Sequence, residues 1–267
     1  MPNVLLTESI AVELGGSDPW PDNVQLFQPF DSEQILLPDV AAVRSVQAFL
    51  RMCALPFSVD QRANAEQMSP SGAIPFIKCG AFVIADMDPI VAFVNTKGIH
   101  LSHHLDSSQR ADMRAYMSLV INVLHSAELY ITWTHEYTYN TITYPRYSFA
   151  TPFPLDRILC WKKRRAVQAA PNPSGIRKLD SISWSDKKLV DVYDEVDSCC
   201  QALAERLGTQ LYFFGDKKTE LDALVYGHVS AILITPLPDT RLKDIINSYP
   251  TLIEHFRRID NDYFKNY

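Results

Sequence analysis

The stretch Ser71–Ile90, SGAIPFIKCGAFVIADMDPI, restricts the folds open to this chain more than any other. The preceding Met68-Ser-Pro-Ser-Gly72 is turn chemistry, because proline presets φ and glycine tolerates positive φ. Ile74-Pro75 alone among the X-Pro bonds starts a strand after a Pro-x-Gly turn. That context favours a cis bond well beyond the roughly one-in-twenty frequency of X-Pro bonds in general. Ile74–Lys78 and Phe82–Ile84 are short β-rich runs separated by Cys79-Gly80-Ala81, which predicts a hairpin. Asp86 stands where a helix N-cap belongs, and Ile90, Phe93 and Val94 beyond it have inward-facing helical spacing.

Upstream, Val24–Phe30 predicts a first strand. Pro38-Asp39 opens a helix in which Val40, Val43, Val46, Phe49, Leu50 and Cys53 share a face, and Leu55-Pro56 ends it. Phe57–Arg62 predicts a second strand. A β-α-β unit of this length implies parallel strands and a right-handed crossover. From about Gly98 the pattern becomes helical. Asp106 or Ser107 caps a long helix running to about Thr134, with Met113, Tyr116, Met117, Val120, Ile121 and Leu124 as its apolar stripe. Thr138–Pro154 is rich in Tyr, Thr and Pro and reads as a loop. A basic helix follows over Leu155–Val167, then a Pro- and Gly-bearing surface loop over Ala169–Ser183. Three further helices are expected along Leu189–Leu207, around Leu224–Ile232 and over Thr251–Phe264. The expected division is an extension over 1–22, an α/β domain over 23–97 and an all-helical domain over 98–267.

At 267 residues the chain is long enough to bury a sizeable core without staples. Its net charge of −6 argues against bulk attraction to nucleic acid. The five cysteines are odd in number and form no CxxC, which reads as reduced thiols in a cytosolic compartment. The acidic start MPNVLLTESIAVELGG is expected to be neither a secretory signal nor a mitochondrial presequence. The most apolar run, Leu221–Leu237, is broken by Asp222, His228 and Pro236, so membrane contact is expected to be peripheral only.

The order β-α-β, connection, β-β-α resembles a thioredoxin-like half. Followed by an all-α C-terminal domain, it resembles a glutathione-transferase-like chain. Thr219-Glu220-Leu221-Asp222 resembles the buried capping box of that class, with Thr219 and Asp222 satisfying orphan N–H groups. Pro75 and Asp86 complete the fold signature. Glutathione chemistry also needs a hydroxyl or thiol near the end of the first strand to stabilise a thiolate. Ser32 is the only hydroxyl there, and Asp31 and Glu33 flank it with the wrong charge. A carboxylate-binding donor is needed at the start of the helix after the hairpin. Met87 offers none, Pro89 removes an N–H, and Asp88 repels an anion. No cofactor and no catalytic residue is therefore expected. The alternative is a glutathione-dependent transferase or peroxidase.

A further set of motifs is more specific: Glu33-Gln-Ile-Leu-Leu37, Val46-Gln-Ala-Phe-Leu50, Arg62-Ala-Asn-Ala-Glu66, Met68-Ser-Pro-Ser-Gly72, Pro75-Phe-Ile77 and Pro89-Ile90. Ala127-Glu-Leu-Tyr130, Cys199-Cys-Gln-Ala-Leu203, Arg206-Leu-Gly-Thr-Gln210, Tyr212-Phe-Phe214, Thr219-Glu-Leu-Asp-Ala-Leu224, Arg257-Arg-Ile259 and Tyr263-Phe264 extend it. With these motifs the chain resembles the metaxin family, in its type-two, anchorless branch. The resemblance implies a non-catalytic adaptor on the cytosolic face of the mitochondrial outer membrane, paired with a membrane-anchored type-one metaxin. It further implies roles with the outer-membrane β-barrel assembly machinery and in coupling mitochondria to the Miro GTPase and kinesin. The 171–185 segment is longer than that branch implies.

Lys162, Lys163, Arg164 and Arg165 form the densest positive cluster and are the candidate membrane or partner contact. More often such a run is a solvated helix face. His100, His103 and His104 read as loop histidines, although His100 and His104 have a metal-ligand spacing; no metal is expected. His228 reads as a hydrogen-bonded core residue. Tyr137, Tyr139, Tyr144 and Tyr147, with Trp133, suit either a protein contact or a domain-closing core.

Overall fold

A computed structural model describes residues 19–169 and 188–265 of the chain. The expected 169–183 loop therefore lies almost wholly outside the described residues. Four short strands form one mixed sheet in the order β2-β1-β3-β4. β1 (Gln25–Gln28) pairs in parallel with β2 (Ser58–Gln61), setting Gln25 beside Ser58. Its other edge pairs antiparallel with β3 (Phe76–Cys79), which turns through Gly80 into β4 (Phe82–Ala85). Gly80 has φ of +62°, as a tight hairpin requires. Phe27 and Phe76, opposite each other on β1 and β3, stack with ring centroids 4.7 Å apart.

Helix α1 (Leu37–Met52) crosses from β1 to β2. A single helical turn, α2 (Ala65–Met68), which no periodicity announces, precedes the hairpin. Helix α3 (Met87–Thr96) closes the α/β half, burying Ile90, Phe93 and Val94 as their spacing predicts.

The helical half begins at α4 (Ser107–Val120), which a π-helical turn at Ile121–His125 joins to α5 (Ser126–Trp133). Asp106 is the cap: Gln109 N–H donates to its Oδ1 at 2.7 Å, and the Gln109 side chain accepts from Asp106 N–H. The Tyr-rich segment is not the expected loop. It is helical over α6 (Glu136–Thr138), a π turn at Tyr139–Thr143 and α7 (Tyr144–Tyr147). Two factors override its turn-rich composition. Trp133 packs edge-on against Tyr147 with centroids at 5.1 Å, and Tyr139 tilts against both Trp133 and Tyr144. Pro145 falls in the first turn of α7, where its missing N–H costs little.

Helices α8 (Leu155–Ala169), α9 (Leu189–Leu207), α10 (Glu220–Ile234), α11 (Arg241–Asn247) and α12 (Pro250–Tyr263) follow. Among the described residues beyond α3 the backbone is helix, turn and connection, with one isolated β-bridge between Tyr212 and Gly215. No helix among them is long and apolar enough to cross a membrane.

The two halves are packed through one helix. Leu37 and Ala41 of α1 belong to the helical core, while Val46, Phe49 and Leu50 of the same helix belong to the sheet core. Conversely, Ala223 and Tyr226 of α10 and Ile259 of α12 are buried in the sheet core. Helices α1 and α10 meet at Gly227. A Cβ there would lie 2.0 Å from Ser45 Oγ, 2.5 Å from the Ala41 carbonyl oxygen and 2.6 Å from Ser45 N. Ser45 Oγ donates to Ala41 O at 2.8 Å and approaches Leu224 O at 3.3 Å, so the close crossing is also hydrogen-bonded.

Gly227→Ala forces these helices apart and should cost about 1–3 kcal/mol or more, a fall of several degrees in Tm. Adding Ser45→Ala to Gly227→Ala should restore little, because two of the three close contacts are backbone atoms. Thermal melts of the single and double variants check both statements.

Candidate functional site

A cleft of about 610 Å³ opens between the two halves. One wall is built by the β1–α1 loop, the first turn of α1, α2 and the Ser71–Ile74 turn. The other comes from the π turn, α5, α7 and the inner side of α8. The Ile74–Pro75 bond at its floor is cis.

The charged groups of the cleft include three carboxylates, Asp39, Glu66 and Asp86, and one lysine, Lys163. Glu66, on α2, receives two donors from the opposite wall. The Tyr147 hydroxyl donates to its Oε2 at 2.9 Å, and Lys163 Nζ ion-pairs with its Oε1. Burial first, and then the neighbouring Glu66, push the Tyr147 phenol well above its ordinary range. That hydroxyl is therefore a committed donor and a poor source of phenolate. Asp39, in the first turn of α1, accepts the Leu36 N–H at 3.3 Å. Burial pushes its carboxyl up to about 6; Lys163 opposes the shift and Glu66 adds to it.

Asp86 is the third carboxylate of the cleft, and it corrects two expectations. It precedes α3 but makes no side-chain cap. Its backbone sits at φ +70°, ψ +155°, and its carboxylate accepts the Ser71 hydroxyl at 3.3 Å instead. This conformation is strained for any residue with a Cβ. Asp88, expected to repel an anion in the cleft, lines a separate recess with Asn95 and Ser102. The repelling charge is supplied by Asp86. Met87 and Pro89 do occupy the first turn of α3, so one N–H is missing there as anticipated.

Ser32, the hydroxyl singled out near the end of β1, is exposed and does not line the cleft. None of the five cysteines lines it either. Burial pushes Cys53 and Cys199 up to about 12 and Cys160 up to about 11, far from the thiolate a nucleophile needs.

Thr219 and Asp222 lie away from the cleft, at the start of α10. Asp222 is fully buried and accepts four donors: Thr219 N–H and Thr219 Oγ1, both at 2.7 Å, Phe213 N–H at 3.0 Å and His255 Nε2 at 2.9 Å. It is a structural anchor that ties α10, α12 and the α9–α10 connection together. His228 is in the core, as its position on an apolar stripe implies, and its Nδ1 lies 2.7 Å from the fully buried Glu128 Oε1. Burial works to raise Glu128, but the His228 charge and hydrogen bond, with His125 3.7 Å from its other oxygen, outweigh it and hold it low. His100 bonds Asn95 Oδ1, and His103 and His104 bond backbone carbonyls. Of the basic run, Lys163 and Arg164 turn inward, Arg164 pairing with Glu136 at 3.1 Å. Lys162 and Arg165 face solvent.

A mixed sheet carrying a cis-proline turn, joined to a helical half across a cleft, defines a glutathione-transferase-like protein. Comparison with known proteins agrees. The family described as "Glutathione S-transferase N-terminal domain" matches residues 41–139, and "Glutathione S-transferase, C-terminal domain" matches residues 196–259. Glutathione transferase F7 from Populus trichocarpa superposes with a TM-score of 0.54 over 89% of this chain and 93% of that one. At 11% identity this likeness concerns the fold alone. The chain is 47% identical to metaxin-2 of Mus musculus over 98% of this chain and 97% of the relative. It is 36% identical to the metaxin-2 homologue of Caenorhabditis elegans over 84% and 93%. The chain belongs to the metaxin family.

The raised pKa of Asp39 has a testable sign. Between its unfolded value near 3.8 and its folded value of about 6, the folded state holds a proton that the unfolded state releases. Stability is therefore lost as pH rises through that window. Asp39→Asn should raise Tm at pH 7.5 and lose that advantage below about pH 4, as melts across the pH range would reveal.

Proposed function

We propose that this chain is a non-catalytic adaptor on the cytosolic face of the mitochondrial outer membrane, held there by pairing with a membrane-anchored type-one metaxin. In that role it serves the import and assembly of outer-membrane β-barrel proteins and the coupling of mitochondria to Miro and kinesin. Residues 23–97 and 98–267 are its two structural halves. The supporting observation is the state of the cleft. Its lysine is bound to Glu66, its tyrosine donates to the same carboxylate, and Asp39 and Asp86 bring further acidic groups to its lining. A glutathione thiolate and its carboxylates would enter a site with acceptors where they need donors. The fold supplies a rigid body and the family supplies the context; neither requires a reaction.

Co-expression with the anchored type-one protein should give a stable complex with a higher Tm than the chain alone. No shift with that partner in excess counts against the pairing. The purified chain should pass through a glutathione column and leave an aryl-halide substrate unchanged. Retention together with turnover of the aryl halide, both abolished by Lys163→Ala, would instead favour a glutathione-dependent transferase or peroxidase.

A further inference from the structure

Helix α8 carries two faces of opposite chemistry. Its inner face uses Cys160, Lys163 and Arg164, whose charges are spent on Glu66 and Glu136. Arg164 also lies over the Tyr139 ring at 4.2 Å. The outer face is different. At about 100° per residue, Ile158, Trp161, Lys162 and Arg165 fall within an arc of about 100°, and Leu155 at its edge also lines the cleft. Phe153 extends this face at the N-terminal end of the helix. Phe153 is 74% exposed, Trp161 58% and Ile158 54%. Large apolar side chains clustered this way on a surface mark an interaction site.

The charges on this face all have one sign. Arg165 lies over the Trp161 ring at 5.1 Å and Arg157 over the Phe153 ring at 5.5 Å. Lys162 and Arg165 make no ion pair among the described residues. The nearest acid of the helix, Asp156, is turned away to accept the Tyr144 hydroxyl at 2.7 Å. The chain as a whole has a net charge of −6, so the face opposes the global sign.

We propose that this outer face of α8, with Phe153, docks directly on an anionic phospholipid surface. An interfacial helix buries aromatic and aliphatic side chains at the headgroup boundary while Lys and Arg reach the phosphates. Trp161 and Phe153, each beneath a guanidinium, suit that depth, since an aromatic ring with a cationic partner bridges the apolar and polar layers. The core of a protein interface is instead depleted of charge, whereas cations here alternate with apolar side chains. With a net charge of −6 the chain as a whole has no bulk attraction to such a membrane, so this face supplies the orienting contact. The proposal adds a second contact to the membrane location argued above and does not depend on the partner.

The test uses the purified full chain alone, floated with phosphatidylcholine vesicles with or without phosphatidylinositol. The expected result is flotation with the anionic vesicles only, reversed by high salt. Lys162→Glu with Arg165→Glu should weaken partitioning at least 25-fold, at about fivefold for each charge removed. Trp161→Ala should also weaken it, and Lys243→Glu, an exposed cation elsewhere, should not. Unchanged circular dichroism and Tm would show that the variants fold. Failure of the wild-type chain to float with anionic vesicles at low salt would overturn the proposal. So would equal losses in the α8 and Lys243 variants. A photoreactive group at Ile158 that labels a protein chain and no lipid, in the membrane-bound complex, would reassign the face to a protein interface. Pairing with the type-one metaxin is measured in detergent without vesicles, so the two readings fail separately.

Discussion

The approach of α10 to α1 at Gly227 is the contact on which the remaining geometry depends. No side chain fits between the two backbones, and Ser45 binds across the crossing to Leu224 O. Helix α1 therefore cannot belong to one half alone. Its first turn lines the cleft with Pro38 and Asp39, its middle touches α10, and its last turns fill the sheet core. The cleft walls are held in place by a helix that both cores share. Any shift of α10 is passed to the residues that face an incoming ligand.

Within that frame the polar groups do two kinds of work. Asp222 and Glu128 are wholly buried: Asp222 accepts four donors, from Thr219, Phe213 and His255, and Glu128 is paired with His228 from a helix distant in sequence. Removing one partner there would strand a charge, which is why such clusters specify one packing rather than many. The cluster in the cleft is half-exposed and looser. Glu66 joins α2 to α7 and α8, drawing the helical half over the turn that carries the cis-proline. The ion pair itself contributes modestly in that setting. Its larger effect is on chemistry, since it satisfies the lysine and the tyrosine that a ligand would otherwise meet.

Much of the fold was legible in the sequence, because it is written in local patterns. The hairpin, the parallel β-α-β unit, the buried stripe of α3 and the Asp106 cap all follow from spacing and turn chemistry within a few residues. The candidate site was less legible. Glu66 and Lys163 are separated by 97 residues and Glu66 and Tyr147 by 81, so no window of sequence contains both partners. Asp39 reads as an ordinary first-turn acid until the folded chain buries its carboxyl and brings Glu66 near it. The Tyr-rich segment departs from its expected loop for a more local reason: Trp133 packs on Tyr139 and Tyr147, a ring contact that composition does not encode. Positive φ at Asp86 has no sequence signature, since a residue other than glycine adopts it only under tertiary constraint.

Most of the cleft lining stands outside the hydrophobic clusters that stabilise the chain; Ile74 packs beside the small Phe27–Phe76 cluster, and Leu36 and Trp133 are themselves buried. The positions that fill the two large clusters and most of those that face the cleft are therefore different. A side-chain change at Gln67 or Asp86 would alter what the cleft can hold while leaving both clusters filled.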